Sequence, residues 1–181
     1  MAKIKIYEPD GNSLTYRVRS RYSLRLWSVR NSRVLEWLYK TFASGMLGLH
    51  PLWRAIGYNR VERPMVAVEN AVKSVMFDCR MCGQCALSST GMSCPMNCPK
   101  SLRNGPCGGV RANGHCEVEP DMPCVWVQAW QGSRNMRDGD AILNVQPAID
   151  QSLRGSSSWL RVTSQAAEAR DAANAPAENK G

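Results

Sequence analysis

Eight cysteines, all lying between Cys79 and Cys124, constrain this chain more than any other feature of its 181 residues. They are Cys79, Cys82, Cys85, Cys94, Cys98, Cys107, Cys116 and Cys124, with none in the 78 residues before them or the 57 after. Written as spacing they read C-x2-C-x2-C-x8-C-x3-C-x8-C-x8-C-x7-C. So dense a set of thiols serves either disulfides or metal. Met1 is followed by a polar, alternating stretch rather than the apolar core of a signal peptide, and no window holds the roughly 18–20 apolar residues of a membrane span. The expected location is therefore the cytoplasm, where thiols stay reduced and clustered cysteines point to metal. Eight thiolates are the number required for two four-cysteine sites.

Cys79-Arg80-Met81-Cys82-Gly83-Gln84-Cys85 places three thiolates on one tight loop. Three irons of a cubane can be held this way, the fourth being bound by a distant cysteine that in bacterial ferredoxins precedes a proline. Cys94-Pro95 and Cys98-Pro99 both have that form. Zinc wants four tetrahedral ligands, commonly from two separated C-x2-C pairs. The triple has one cysteine too many for such a pair, and the later cysteines contain no C-x2-C. Two [4Fe-4S] clusters are thus expected; one cluster with one zinc, or zinc alone, stay open. Gly83, Gly91, Gly105, Gly108, Gly109 and Gly114 let the backbone turn tightly and aim N–H groups at sulfur. Lys100, Arg103 and Arg111 would favour a negative cluster, or are simply solvated surface charges. His115 is a spare donor that two complete cysteine quartets do not need.

The net charge of +8 is concentrated before the cysteines. Residues 1–63 carry twelve Lys and Arg against four acids, whereas the remaining 118 residues are balanced. This basic stretch suits an acidic face on another protein; nucleic acid is a weaker reading, because no nucleic-acid motif accompanies the charge. Within it, Lys3–Tyr7 and Leu14–Val18 alternate polar and apolar around Pro9-Asp10-Gly11-Asn12, which predicts a β-hairpin. A helix is expected from Asn31 or Ser32 to Gly45 with Val34, Leu35, Leu38 and Phe42 on its packed face, and a short one from His50-Pro51 to Gly57. A third is expected from Pro64 to Cys79 with Met65, Val68, Val72, Val75 and Met76 on one face. Another follows Cys124 at Val125–Trp130.

The organisation expected is a basic arm over 1–63, a cysteine-rich iron–sulfur domain over 64–137, a partner-contacting arm over 138–164 and a disordered tail over 165–181. The fold class is a small, irregular, metal-stabilised α+β domain with an N-terminal hairpin, a few short helices and a loop-rich cluster-binding core. No glycine-rich nucleotide loop, no Walker loop and no Ser/His/Asp set is recognisable, so the chain alone is not expected to turn over a substrate.

The run from Cys82 to Gly91 (CGQCALSSTG), then Cys94-Pro95-Met96-Asn97-Cys98-Pro99-Lys100, then Leu102-Arg103-Asn104-Gly105-Pro106-Cys107-Gly108-Gly109, closely resembles one family. It is similar to the cysteine-rich methylenetetrahydrofolate reductase C-terminal domain, the MetV-type small subunit, over about residues 78–130. The resemblance implies an accessory subunit with iron–sulfur clusters, or zinc in some members, that partners a separate flavin-containing β/α-barrel reductase acting on folate one-carbon units. The flavin would sit on that partner, which interconverts methylene- and methyl-tetrahydrofolate, and a further electron carrier could dock as well. The pairing expected is Cys79, Cys82 and Cys85 with a later cysteine, Cys124 being the candidate, and Cys94, Cys98, Cys107 and Cys116 as the second set; other splits stay open. A structural metal module without redox function is the alternative.

Overall fold

The computed structural model describes Lys3–Tyr7, Ser13–Arg17 and residues 22–174. β1 (Lys3–Tyr7) and β2 (Ser13–Arg17) form the expected antiparallel hairpin, with Lys3 opposite Arg17 and Tyr7 opposite Ser13. The intervening turn and Val18 lie outside the described residues. Everything else regular is helical: α1 (Ser23–Arg30), α2 (Ser32–Gly48), α3 (His50–Ile56), α4 (Tyr58–Phe77), α5 (Val125–Ser133) and α6 (Ser158–Asn174). The domain is small and irregular, as expected, but mostly helical. Strand structure among the described residues is confined to the hairpin and two isolated bridges, Val110 with Cys116 and His115 with Pro123.

The cysteine segment hangs between two helix ends. α4 stops because Asp78 turns into the left-handed region (φ 53°), so that Cys79 N–H bonds back to Lys73 O (3.3 Å) and Asp78 N–H to Ser74 O (3.1 Å). The five-to-one bond from Asp78 makes this a left-handed helix cap, with aspartate where glycine is commoner. α5 opens on Cys124, whose carbonyl accepts from Gln128 N–H at 3.1 Å. Helix ends thus place the first and last cysteines, while turns and one 3₁₀ turn at Pro95–Asn97 carry the rest.

No single large core forms. Tyr22, Leu26, Met122 and Val125 pack with Cys98 and Cys116; Leu35, Phe77, Leu87, Met92 and Met136 pack with Cys94; Trp126 and Ala129 pack with Cys124. Sulfur is therefore part of every cluster. Three small clusters bury less apolar surface than one core of the same residue count, which leaves polar contacts a larger share of the cohesion. One long-range fastening joins three segments: Ser32 Oγ donates to Gly132 O (2.8 Å), and Gly91 (φ 58°) meets Gly132 so closely that a Cβ on either would strike the other's backbone or its neighbours. α2, α5 and the cysteine segment are fastened at that point.

Several expectations are corrected. α1, which carries no clear apolar period, packs against α4 and α5. α2 runs past Gly45 to Gly48, and of its expected packed face only Leu35 is buried; Val34, Leu38 and Phe42 are exposed. α4 begins at Tyr58 and carries Pro64 inside it. Its burial is inverted relative to its pattern: Val68, Val72 and Val75 face outward, while Glu69, Lys73 and Phe77, one turn apart, face in. Tertiary partners for the two charges override the apolar stripe. Residues 165–174, expected to be disordered, continue α6, and Ala167 is fully buried. Residues 175–181 lie outside the described residues. Within the segment expected to contact a partner, 138–164, contacts to the same chain are also made: Arg103 donates to Pro147 O (2.9 Å), and Asn104 and Gln146 exchange two hydrogen bonds (2.7 and 2.9 Å).

Candidate metal centre

All eight cysteines carry free thiols, and four of them, Cys79, Cys82, Cys85 and Cys94, line one cavity. The loop from Cys79 to Cys85 is wound by left-handed Met81 (φ 45°) and Gly83 (φ 74°), which turn the triple around that space. Glycine is required at 83, since a Cβ there would overlap the Leu153 carbonyl. Met81 N–H points at Cys79 Sγ (3.4 Å). Cys94 reaches the cavity from the far side on the 3₁₀ turn, and its thiol faces that of Cys79. Their shared proton draws the Cys79 pKa down, with help from Met81 N–H and Lys73, and pushes that of Cys94 up, as burial also does. Close thiols that compete for one proton readily give it up to a cation.

The loop is clamped from outside by residues distant in sequence. Arg103 Nη2 donates to Gln84 O (2.8 Å), Asp150 N–H to Gln84 Oε1 (2.8 Å) and Gly155 N–H to Met81 O (2.8 Å), and Arg161 donates to the Gly83 carbonyl. Behind the cavity stands a buried ion pair. Glu69 is 1% exposed and Lys73 4%, with Nζ to Oε1 at 2.6 Å. Glu69 also accepts from Ser157 Oγ (2.6 Å), Ser158 Oγ and Trp159 N–H (3.3 Å), and Lys73 donates to Ser158 Oγ (2.8 Å). Burial opposes both charges. For Lys73 it is outweighed by Cys85 and Glu69, which raise its pKa; for Glu69 it is outweighed by Lys73 and the two serines, which lower its pKa. A fixed positive charge therefore stands beside Cys85.

The other four cysteines lie outside this cavity, in two core clusters. Cys98 and Cys116 share one core cluster, and Cys107 packs against Cys124 in another. Cys116 N–H bonds to Met122 O (2.9 Å) and Cys124 N–H to Gly114 O (3.0 Å), so Cys116 and Cys124 leave this short antiparallel ladder on the same face, on a diagonal. His115, between them in register, points to the other face, where Nδ1 lies 2.6 Å from Pro120 O. Gly109 N–H points at Cys107 Sγ (3.4 Å). Cys94, expected in the second set, lies with the triple around one cavity, and Cys124, expected with the triple, packs in the cluster beside Cys107.

Among the described residues, no three His, Cys, Asp or Glu side chains close on a single metal-ion position. Of the expected basic tuning residues, Lys100 pairs with Glu117, Arg111 bonds to Glu117 O (3.4 Å), and Arg103 straps the triple's loop. His50, away from every cysteine, shares a 2.7 Å hydrogen bond with Tyr58. Glu69, Lys73, Ser157, Ser158 and Arg161 were not expected at the site. Their only sequence signal was the Glu69–Lys73 spacing of four, which puts opposite charges on one helix face.

A mostly helical domain with eight free thiols in one segment, four of them around one cavity, belongs to the class of small cysteine-rich modules. The chain is a member of the family described as methylene-tetrahydrofolate reductase C terminal, which matches residues 58–152, from the start of α4 to the clamp over the triple. No curated protein and no solved structure matches it. Among the described residues, no helix is long and apolar enough to cross a membrane.

Proposed function

We propose that this chain is the non-catalytic iron–sulfur subunit of a methylenetetrahydrofolate reductase-type complex, holding two [4Fe-4S] clusters and exchanging electrons with the flavin of a separate barrel subunit. The observation that carries the reading is the cavity ringed by Cys79, Cys82, Cys85 and Cys94, a C-x2-C-x2-C triple completed by a cysteine that precedes proline. Three cysteines on one tight loop with a fourth that precedes proline suit a cubane cluster better than zinc, which more often takes its thiolates from two separated C-x2-C pairs. Cys98, Cys107, Cys116 and Cys124 form the second set.

A bound cluster of this kind accepts or donates single electrons with little change in geometry. This chain's own residues hold and tune it. The Met81 and Gly109 N–H groups stabilise thiolate charge on Cys79 and Cys107, and the Lys73 ammonium does so at Cys85. The clamp from Arg103, Asp150, Gly155 and Arg161 holds the first loop closed against water. Family membership supports the reductase as partner.

Anaerobic mixing of the metal-loaded chain with the reduced flavin subunit tests the proposal. Reversible bleaching of the iron–sulfur absorption, at a rate set by the flavin concentration, is expected. A metal-loaded chain whose spectrum never responds to the reduced flavin, while reductase activity persists, would reduce the chain to a structural role.

A further inference from the structure

One face of the molecule carries a row of depressions that starts beside Cys107 and Cys124. Three adjoining depressions lie along it, of ≈ 280, ≈ 210 and ≈ 440 Å³. The first and second share Trp130, Ile142 and Leu143, and the second and third share Arg137, so the three lie side by side in a row. Its near end is floored by Trp126 and Ile142, which belong to the same packed cluster as Cys107 and Cys124. Its far end is the outer face of α2 at Arg33 and Trp37.

The side chains along it are those that dominate protein interfaces. Trp130 is 53% exposed, Leu143 73% and Trp37 64%, and aromatic residues held open to water on helix surfaces are favoured interface anchors. Between them stand Arg33, Arg134 and Arg137, exposed guanidiniums whose side chains make no hydrogen bond or ion pair among the described residues. The carboxylates nearby do not neutralise them. Glu36 accepts from Lys40 and from the backbone N–H groups of Arg137 and Asp138, and Asp138 pairs with Lys40, which leaves Asp140 alone. Three separate depressions suit several side-chain anchors spread over a surface, whereas a small molecule is normally enclosed by one cavity.

We infer that this groove is the docking surface for an acidic face of the reductase subunit, whose carboxylates pair with Arg33, Arg134 and Arg137 and whose apolar side chains seat against Trp37, Trp130 and Leu143. The inference rests on the reading given under Proposed function for the identity of the partner. It adds where that partner sits: over Cys107 and Cys124, so that electrons would pass through the second cysteine set. The exposed valine stripe of α4 (Val68, Val72, Val75) is the competing surface, but its exposed cations, Arg60 and Arg63, stand in the opening turns of the helix and not between the valines.

The test is isothermal titration of the metal-loaded chain with the purified flavin-containing reductase subunit. The variants are Trp37→Ala, Trp130→Ala, the Arg33→Glu/Arg137→Glu pair and, on the other surface, Val72→Asp. Each altered side chain is exposed, and circular dichroism and metal content verify that each variant is folded and loaded. Binding is expected to weaken on the order of 10- to 100-fold for either tryptophan variant. The arginine pair should weaken binding and flatten its salt dependence, and Val72→Asp should leave binding within about threefold. Wild-type binding that survives the groove variants, or is lost only in Val72→Asp, overturns this inference while leaving the reductase partnership standing. A wild-type chain that does not bind the reductase at all overturns the partnership and this inference with it.

Discussion

Replacing Glu69 with glutamine should be among the most damaging single changes outside the cysteines, although the two side chains have nearly the same shape. Glu69 is 1% exposed and accepts from Lys73, Ser157, Ser158 and Trp159 N–H. The substitution keeps one acceptor oxygen but leaves the 4%-exposed Lys73 ammonium without its counter-charge. Breaking a buried pair in this way costs about 3–5 kcal/mol, because the surviving charge stays desolvated. Lys73→Met leaves a carboxylate that retains three donors, so its cost should be smaller, about 1.5–3 kcal/mol for the lost charged hydrogen bond. The double variant removes both charges and should lie within roughly 2 kcal/mol of wild type, since an apolar replacement of a buried pair is often near neutral. Urea unfolding of the four proteins, matched for metal content, gives the cycle. A coupling energy of at least about 2 kcal/mol is expected. Strictly additive costs would refute the claim that Lys73 is held charged by Glu69.

Two further outcomes are expected. Gly132→Ala should destabilise the chain by about 1–3 kcal/mol through overpacking against Gly91, read as a lowered melting temperature, whereas Gly48→Ala, with open space around it, should not. The Glu36 pKa is subject to burial, which raises it, but the Arg137 N–H, Lys40 and the Asp138 N–H more than offset this and hold it below its usual 4.5. A lowered folded pKa contributes stability that is complete above the unfolded value and lost as pH falls through the folded one. Unfolding measured between about pH 6 and pH 3 should therefore show a steeper acid loss in wild type than in Glu36→Gln.

How much of this could be read from the residues varies along the chain. The cysteine segment was legible because thiol spacing reports chemistry directly, and family membership follows from the same Cys, Pro and Gly positions. The hairpin and α5 were legible from alternation and from the apolar run after Cys124. α4 was found, but with the wrong side inward, because hydrophobic periodicity cannot see that Glu69 has Lys73, Ser157 and Ser158 waiting for it. α1 was hidden for a similar reason: its inward side holds Arg25 and Ser28, and Ser28 Oγ spends its hydrogen bonding on Leu24 O (3.1 Å) and Met76 O (2.9 Å). The second half of α6, from residue 165, looked like a tail because alanine and polar residues dominate it, yet Ala167 needs no bulk to be fully buried. Cysteine pairing was the least legible feature. Eight identical side chains carry no label for their partners, and only the ladder at His115–Pro123 and the turn at Pro95 sort Cys94 from Cys124.

Iron and acid-labile sulfide content tests the central claim most directly, measured on chain purified without oxygen for wild type, Cys79→Ser, Cys94→Ser and the double variant. Two four-iron clusters predict about eight irons and about eight sulfides per wild-type chain. Each single variant and the double should retain about half, since Cys79 and Cys94 serve one site. Two zincs without sulfide would contradict the iron–sulfur reading. A double variant that loses all its iron, where each single variant loses half, would contradict the pairing.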